Sequence, residues 1–112
     1  MRNYRIYLKD ILNSIKKIEK YSGKILSWQE LKKEELLMDA IVRNLQIIGE
    51  ASKNIPPEIR KKHNKIEWKK MSGLRDILVH AYFGVSQEIV WDIIKNKLPE
   101  LKKQVKAMLK TN

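Results

Sequence analysis

Cysteine is absent from the sequence, which excludes disulfides, thiolate zinc sites and a cysteine nucleophile. Histidine is nearly as scarce, His63 and His80 being the two in 112 residues, too few for a histidine-rich metal site. Carboxylates can hold Mg²⁺, but no closely spaced acidic pair stands outside the ordinary charged faces of helices. No cofactor and no metal site are expected. Long apolar runs are missing as well. Nothing approaches the roughly 18 uninterrupted apolar residues of a membrane span, and the opening MRNYRIYLKD alternates charge with apolar residues where a signal peptide would carry an apolar block. The expected location is the cytoplasm, with no membrane association. Strand-like alternation, internal repeats and low-complexity segments are also lacking.

What is present is a 43% hydrophobic chain, enough for one core and too short for two, so residues 1–112 are expected to form one domain. Twenty-four Lys and Arg against 13 Asp and Glu give a formal net charge of +11 and a pI near 9.9. Nucleic acid, an acidic protein or an anionic membrane would each suit such a balance, and so would a merely well-solvated lysine-rich exterior.

The apolar pattern is helical throughout. Tyr4, Leu8, Ile11, Ile15 and Ile18 recur every three to four residues and predict an amphipathic helix over Asn3–Tyr21, ended near Gly23. Ser27 and Glu30 have capping-box spacing, and the chain then runs without proline to Asn54 with Leu37, Ile41, Leu45, Ile48 and Ala51 at helical intervals. This is one long helix, or two divided near Lys32 to Glu35. Ile55-Pro56-Pro57 must interrupt it, because proline lacks the amide donor and disfavours helical geometry in the residue before it. A helical turn over Glu58–Lys62 is predicted next. Asn64 and Glu67 have the spacing of an N-cap and its N3 partner, opening a helix that carries Trp68, Met71, Leu74, Leu78 and Ala81 on one side, with Gly84 placed to stop it. Ser86 and Glu88 start a last helix whose Val90, Ile93, Leu101, Val105 and Leu109 point inward, kinked or restarted at Pro99. The predicted fold is all-α, an antiparallel bundle of four to five helices.

One stretch carries chemistry. RDILVHAY places Arg75, His80 and Tyr82 at a helix end: a fixed cation, a proton carrier near neutral pH and a phenolic hydroxyl. At roughly 100° per residue, Arg75 and Tyr82 share a face while His80 lies about 140° round from Arg75. The reach of arginine, a distorted last turn before Gly84, or a second copy across a two-fold axis would each close that gap. Asp76, four residues before His80, could orient the imidazole or raise its pKa. The bland alternative makes Arg75 an ion-pair member, His80 a dipole-favoured helix-end histidine and Tyr82 a packing residue. His63, among Lys61, Lys62 and Lys65, is expected to be solvated surface. Glu50, in the apolar context IIGEA, is either exposed or buried against Arg43 or Arg75.

The spacing Arg, four residues, His, one residue, Tyr resembles the signature of HepT-like toxins of the HEPN superfamily. The likeness extends to Ala40–Lys53 (AIVRNLQIIGEASK), which resembles the second long helix of that family. Val85–Leu101, with Val90-Trp91 and the LPEL of Leu98–Leu101, resembles its closing helix. The resemblance implies a HEPN-type helical bundle and the toxin of a type VII toxin-antitoxin system. It implies a metal-independent endoribonuclease acting on cellular RNA, transfer RNA or messenger RNA, with Arg75 and His80 catalytic at a homodimer interface and Asp76 supporting them. It further implies an MNT-type nucleotidyltransferase antitoxin that silences the toxin by AMPylation of Tyr82. The alternative is a non-catalytic substrate-binding subunit of a nucleotidyltransferase.

Overall fold

Short-range hydrogen bonds decide where the chain stops and restarts. The computed structural model describes residues 3–80 and 86–111, and within them the chain is helical with no strand. The elements are α1 (Arg5–Ser22), α2 (Trp28–Lys32), α3 (Glu35–Lys53), α4 (Pro57–Lys62), α5 (Trp68–His80), α6 (Gln87–Asp92), a π-helical segment Ile93–Lys97 and α7 (Leu98–Lys110). Within α5, the side chains of residues 75–77, 79 and 80 lie outside the description.

The Ser27–Glu30 signal forms as expected. Glu30 N–H donates to Ser27 Oγ at 3.2 Å and Glu30 Oε2 accepts from Leu26 N–H at 3.0 Å, which satisfies two amides that the helix start leaves open. The division near residues 32 to 35 is real, separating α2 from α3. Pro57 occupies the first position of α4, where its missing N–H costs nothing. At Ser86 the hydroxyl accepts from Glu88 N–H at 3.1 Å and opens α6.

Two expectations need correction. Asn64 does not cap α5, which begins four residues later at Trp68. Instead, Trp68 Nε1 donates to the His63 carbonyl at 3.0 Å with its ring buried, so the aromatic side chain closes the turn that a cap was expected to close. His63 is accordingly half-buried and not open surface. The restart at Pro99 also involves more than a kink. Proline cannot donate to the Lys95 carbonyl, and the preceding turn widens so that Leu98 N–H bonds Ile93 O, one residue further back than in an α-helix. The extra residue shifts the inward face: Ile94, Leu98 and Met108 are buried, whereas Ile93 and Leu109 are half-buried. Gly84 and Ala81 lie outside the described residues.

In the bundle, α1 packs on α3 and α7, α3 packs on α5, and α2 packs on α3 and α6. Leu8, Ile11, Ile15 and Ile18 of α1 meet Ile41, Leu45 and Ile48 of α3 in the core, with Leu78, Val90 and Val105 completing it. Buried Ser22 and Ser52 satisfy their hydroxyls by donating to the carbonyls four residues back, Ile18 and Ile48, at 2.8 and 2.7 Å. Arg5 ties the two ends of the chain together, donating to Leu109 O at 2.8 Å and Thr111 O at 3.2 Å. Lys102 of α7 reaches Glu19 of α1 at 2.9 Å.

Candidate active site

Three of the four candidate residues are on α5, which runs as regular helix from Trp68 through His80. Tyr82 lies outside the described residues. Because no break precedes His80, the angular separation of Arg75 from His80, about 140° at roughly 100° per residue, is retained along the helix. The last turn before Gly84, whose distortion was one way to close that gap, lies outside the described residues.

The register of α5 is set by Leu78, which is 1% exposed and faces the core. Measured from Leu78 at about 100° per residue, the positions of Asp76 and His80 lie roughly 160° round, and that of Gly73 about 140° round. Gly73, Asp76 and His80 thus form one stripe of the helix, on the side away from the core. Lys69, seven residues before Asp76, extends the stripe and is exposed. Arg75 is about 60° from Leu78 by the same count, on the flank nearer the core. A Cβ added at Gly73 would meet no atom within 4 Å, so packing inside the chain does not demand a glycine here.

The approach to α5 is basic. Lys61, Lys62, Lys65, Lys69 and Lys70 are all exposed along the end of α4, the following turn and the first turn of α5. Glu67 is the acid among them, paired with Lys70 at 2.9 Å. The hydrogen bond and charge of Lys70 hold its carboxyl below the usual carboxylate range. Beside this segment a cleft opens between α5 and the closing helices, with Met71, Leu74, Ile93, Leu101 and Ile48 of α3 among its lining. Glu50, one of the two readings of which was burial, is exposed.

Sequence reasoning passed over Asn44. It is 5% exposed on α3, and its Nδ2 donates to Ala40 O at 2.9 Å. The available signal was its place four residues before Ile48, on the inner face of the helix.

The ribonuclease HepT-like family matches residues 11–108. Among similar proteins, one from Caldanaerobacter subterraneus subsp. tengcongensis, named "Putative RNase TTE0752", is 46% identical over 110 residues, covering 97% of this chain and 96% of that protein. The "Probable ribonuclease HepT" of Thermococcus cleftensis is 38% identical over 109 residues, covering 97% of this chain and 98% of its own length. No solved structure matches at the same stringency. Among the described residues no helix is long and apolar enough to cross a membrane. A match that spans nearly the whole bundle, α5 included, is decisive for kinship: the chain belongs to the ribonuclease HepT-like family.

Proposed function

We propose that the chain is the ribonuclease toxin of a toxin-antitoxin pair, cutting cellular RNA without metal at a site built from Arg75 and His80 in two copies of α5. The observation that carries this reading is the stripe Gly73, Asp76, His80 on the outer side of α5, inside a chain that belongs to a ribonuclease family.

RNA supplies its own nucleophile. His80 of one copy takes the proton of the 2′-hydroxyl, the 2′-oxygen attacks phosphorus, and the P–O5′ bond breaks as an imidazolium protonates the leaving 5′-oxygen. The products are a 2′,3′-cyclic phosphate and a 5′-hydroxyl. Proton transfer of this kind contributes about 10²- to 10⁴-fold. The guanidinium of Arg75 presents a planar fork of donors to the phosphorane oxygens, where charge develops in the transition state. Asp76, one turn before His80, orients the imidazole. Two copies supply two histidines, one as base and one as acid, and they also resolve the separation of Arg75 from His80 that a single straight helix preserves. Gly73 permits the close approach of the second backbone. The exposed lysines from Lys61 to Lys70 then receive flanking phosphates.

Regulation belongs to the same reading: a nucleotidyltransferase antitoxin transfers AMP from ATP to the Tyr82 hydroxyl with release of pyrophosphate, placing a phosphodiester charge near Arg75. The deciding experiment is cleavage of transfer RNA and messenger RNA by the purified chain in EDTA, with end analysis of the fragments. Cyclic phosphate ends formed in chelator are expected. Loss of cleavage in EDTA, or 3′-hydroxyl ends, refutes the mechanism.

A further inference from the structure

The cleft between α5 and the closing helices, about 450 Å³, does not end at the first turn of α5. A second cleft of about 390 Å³ lies between the α4–α5 turn and the later part of α7, lined by Lys62 and His63 on one side and Ala107 and Met108 on the other. Lys65, Glu100 and Gln104 line both, and there Gln104 Nε2 donates to Lys65 O at 3.5 Å. The two clefts are therefore one groove. It follows α7 from Leu98 to Thr111, about 20 Å at roughly 1.5 Å per residue.

The lining has two chemistries. Met71, Leu74 and Ile93 are half-buried, each packed on the core by one part and open to the groove by the rest. Around them stand ionised groups. Glu67 is already matched by Lys70 at 2.9 Å, which leaves Lys62, Lys65 and Lys97, all exposed, against Glu100 among the described residues. Asn96 and Gln104 add side-chain amides, able to meet the polar edge of a base. An apolar surface for flat faces, amides for edges and a surplus of cations for a backbone match an unpaired nucleotide strand, whose bases are open to contact. A duplex hides its base faces and could use the lysines alone. On α5, Lys70 is about 60° from Gly73 by helix position, so the groove runs beside the stripe of Gly73, Asp76 and His80.

We infer that this groove binds unpaired nucleotides of the RNA strand, bases against Met71, Leu74 and Ile93 and phosphates on Lys62, Lys65 and Lys97, so that the chain selects RNA that is single-stranded beside the cut. Its part in cleavage rests on the ribonuclease reading above. The binding does not.

The probe is a 2′-O-methyl RNA oligonucleotide of mixed sequence, which lacks the nucleophilic hydroxyl and is not consumed, used alone and annealed to its complement. The single strand is expected to bind the full chain more tightly than the duplex. Met71→Ser should weaken single-strand binding roughly threefold to tenfold, the effect of losing a modest apolar contact, and leave duplex binding unchanged. Lys65→Gln and Lys97→Gln should each lower the slope of log Kd against log salt for the single strand by about 0.7, the share of one phosphate. Equal effects of Met71→Ser on strand and duplex overturn base docking, and slopes unchanged in both lysine variants overturn the phosphate track. A polyglutamate peptide that binds more tightly than the single strand, with sensitivity to the same variants, overturns the inference and assigns the groove to an acidic protein segment. Should Met71→Ser fail to fold, crosslinking of a 4-thiouridine strand to the original chain replaces it: adducts within residues 93–104 are expected, and adducts confined to other segments overturn the groove. A chain that binds as described and cuts no RNA refutes the ribonuclease reading alone.

Discussion

Replacing Gly73 with alanine separates what the chain needs for itself from what a second copy needs of it. A glycine within a helix is about 1 kcal/mol less favourable than alanine, and Gly73 sits in the middle of α5. The added Cβ would meet no heavy atom within 4 Å, so nothing inside the chain opposes the gain. The isolated chain should be stabilised by about 0.5–1 kcal/mol, which at this chain length raises Tm by roughly 2–5 °C. The proposed dimer should respond in the opposite sense. Gly73 lies on the stripe of Asp76 and His80, and at a two-fold axis each copy would press a new methyl against a backbone already in close contact. Overpacking of this kind costs about 1–3 kcal/mol, and 2 kcal/mol weakens dimerisation about 30-fold. Melting curves on dilute protein, where monomer dominates, measure the first effect, and sedimentation equilibrium measures the second. Cleavage at limiting concentration should fall with the dimer and recover as protein is added. A Gly73→Ala chain that melts higher yet dimerises and cleaves like the original would refute the close approach at Gly73. A lower Tm in the dilute chain would contradict the open space around it.

Shared use of two copies predicts complementation: His80→Ala and Arg75→Ala protomers should each be folded and nearly inactive alone, and a mixture should recover part of the original rate. Absence of any recovery, in a mixture shown to contain heterodimers, would place both residues of a working site in the same copy. For the regulatory step, incubation with the cognate nucleotidyltransferase and ATP should add AMP mass to the chain and abolish cleavage, whereas Tyr82→Phe should take up no AMP and stay active. A Tyr82→Phe chain modified and silenced like the original would move the acceptor to another residue.

The legible part of this fold was whatever a local rule decides. Ser27 with Glu30, Pro56-Pro57 and Ser86 with Glu88 mark helix limits because each acts through bonds to residues two to four positions away, and all three hold in the structure. Asn64 misled because its capping pattern competed with a stronger long-lever interaction, the buried Trp68 ring donating to the His63 carbonyl, and no short-range rule weighs a ring against a cap. The inward face of the last helix slipped for a related reason: Pro99 signals an interruption, yet whether the chain kinks or absorbs an extra residue in a π turn depends on which of Ile93 and Ile94 the core accepts. The candidate site divides along the same line. Arg75, Asp76 and His80 stand out because their chemistry and spacing lie within a few residues on one helix, and the straightness of α5 through His80 leaves their angular separation as the spacing implied. Asn44 escaped notice because its burial is tertiary: an asparagine four residues before Ile48 is unremarkable until the packing around α3 leaves it 5% exposed. A helix can advertise which of its residues share a face, but what lies against that face is set by the neighbouring helix, at a register that only packing decides.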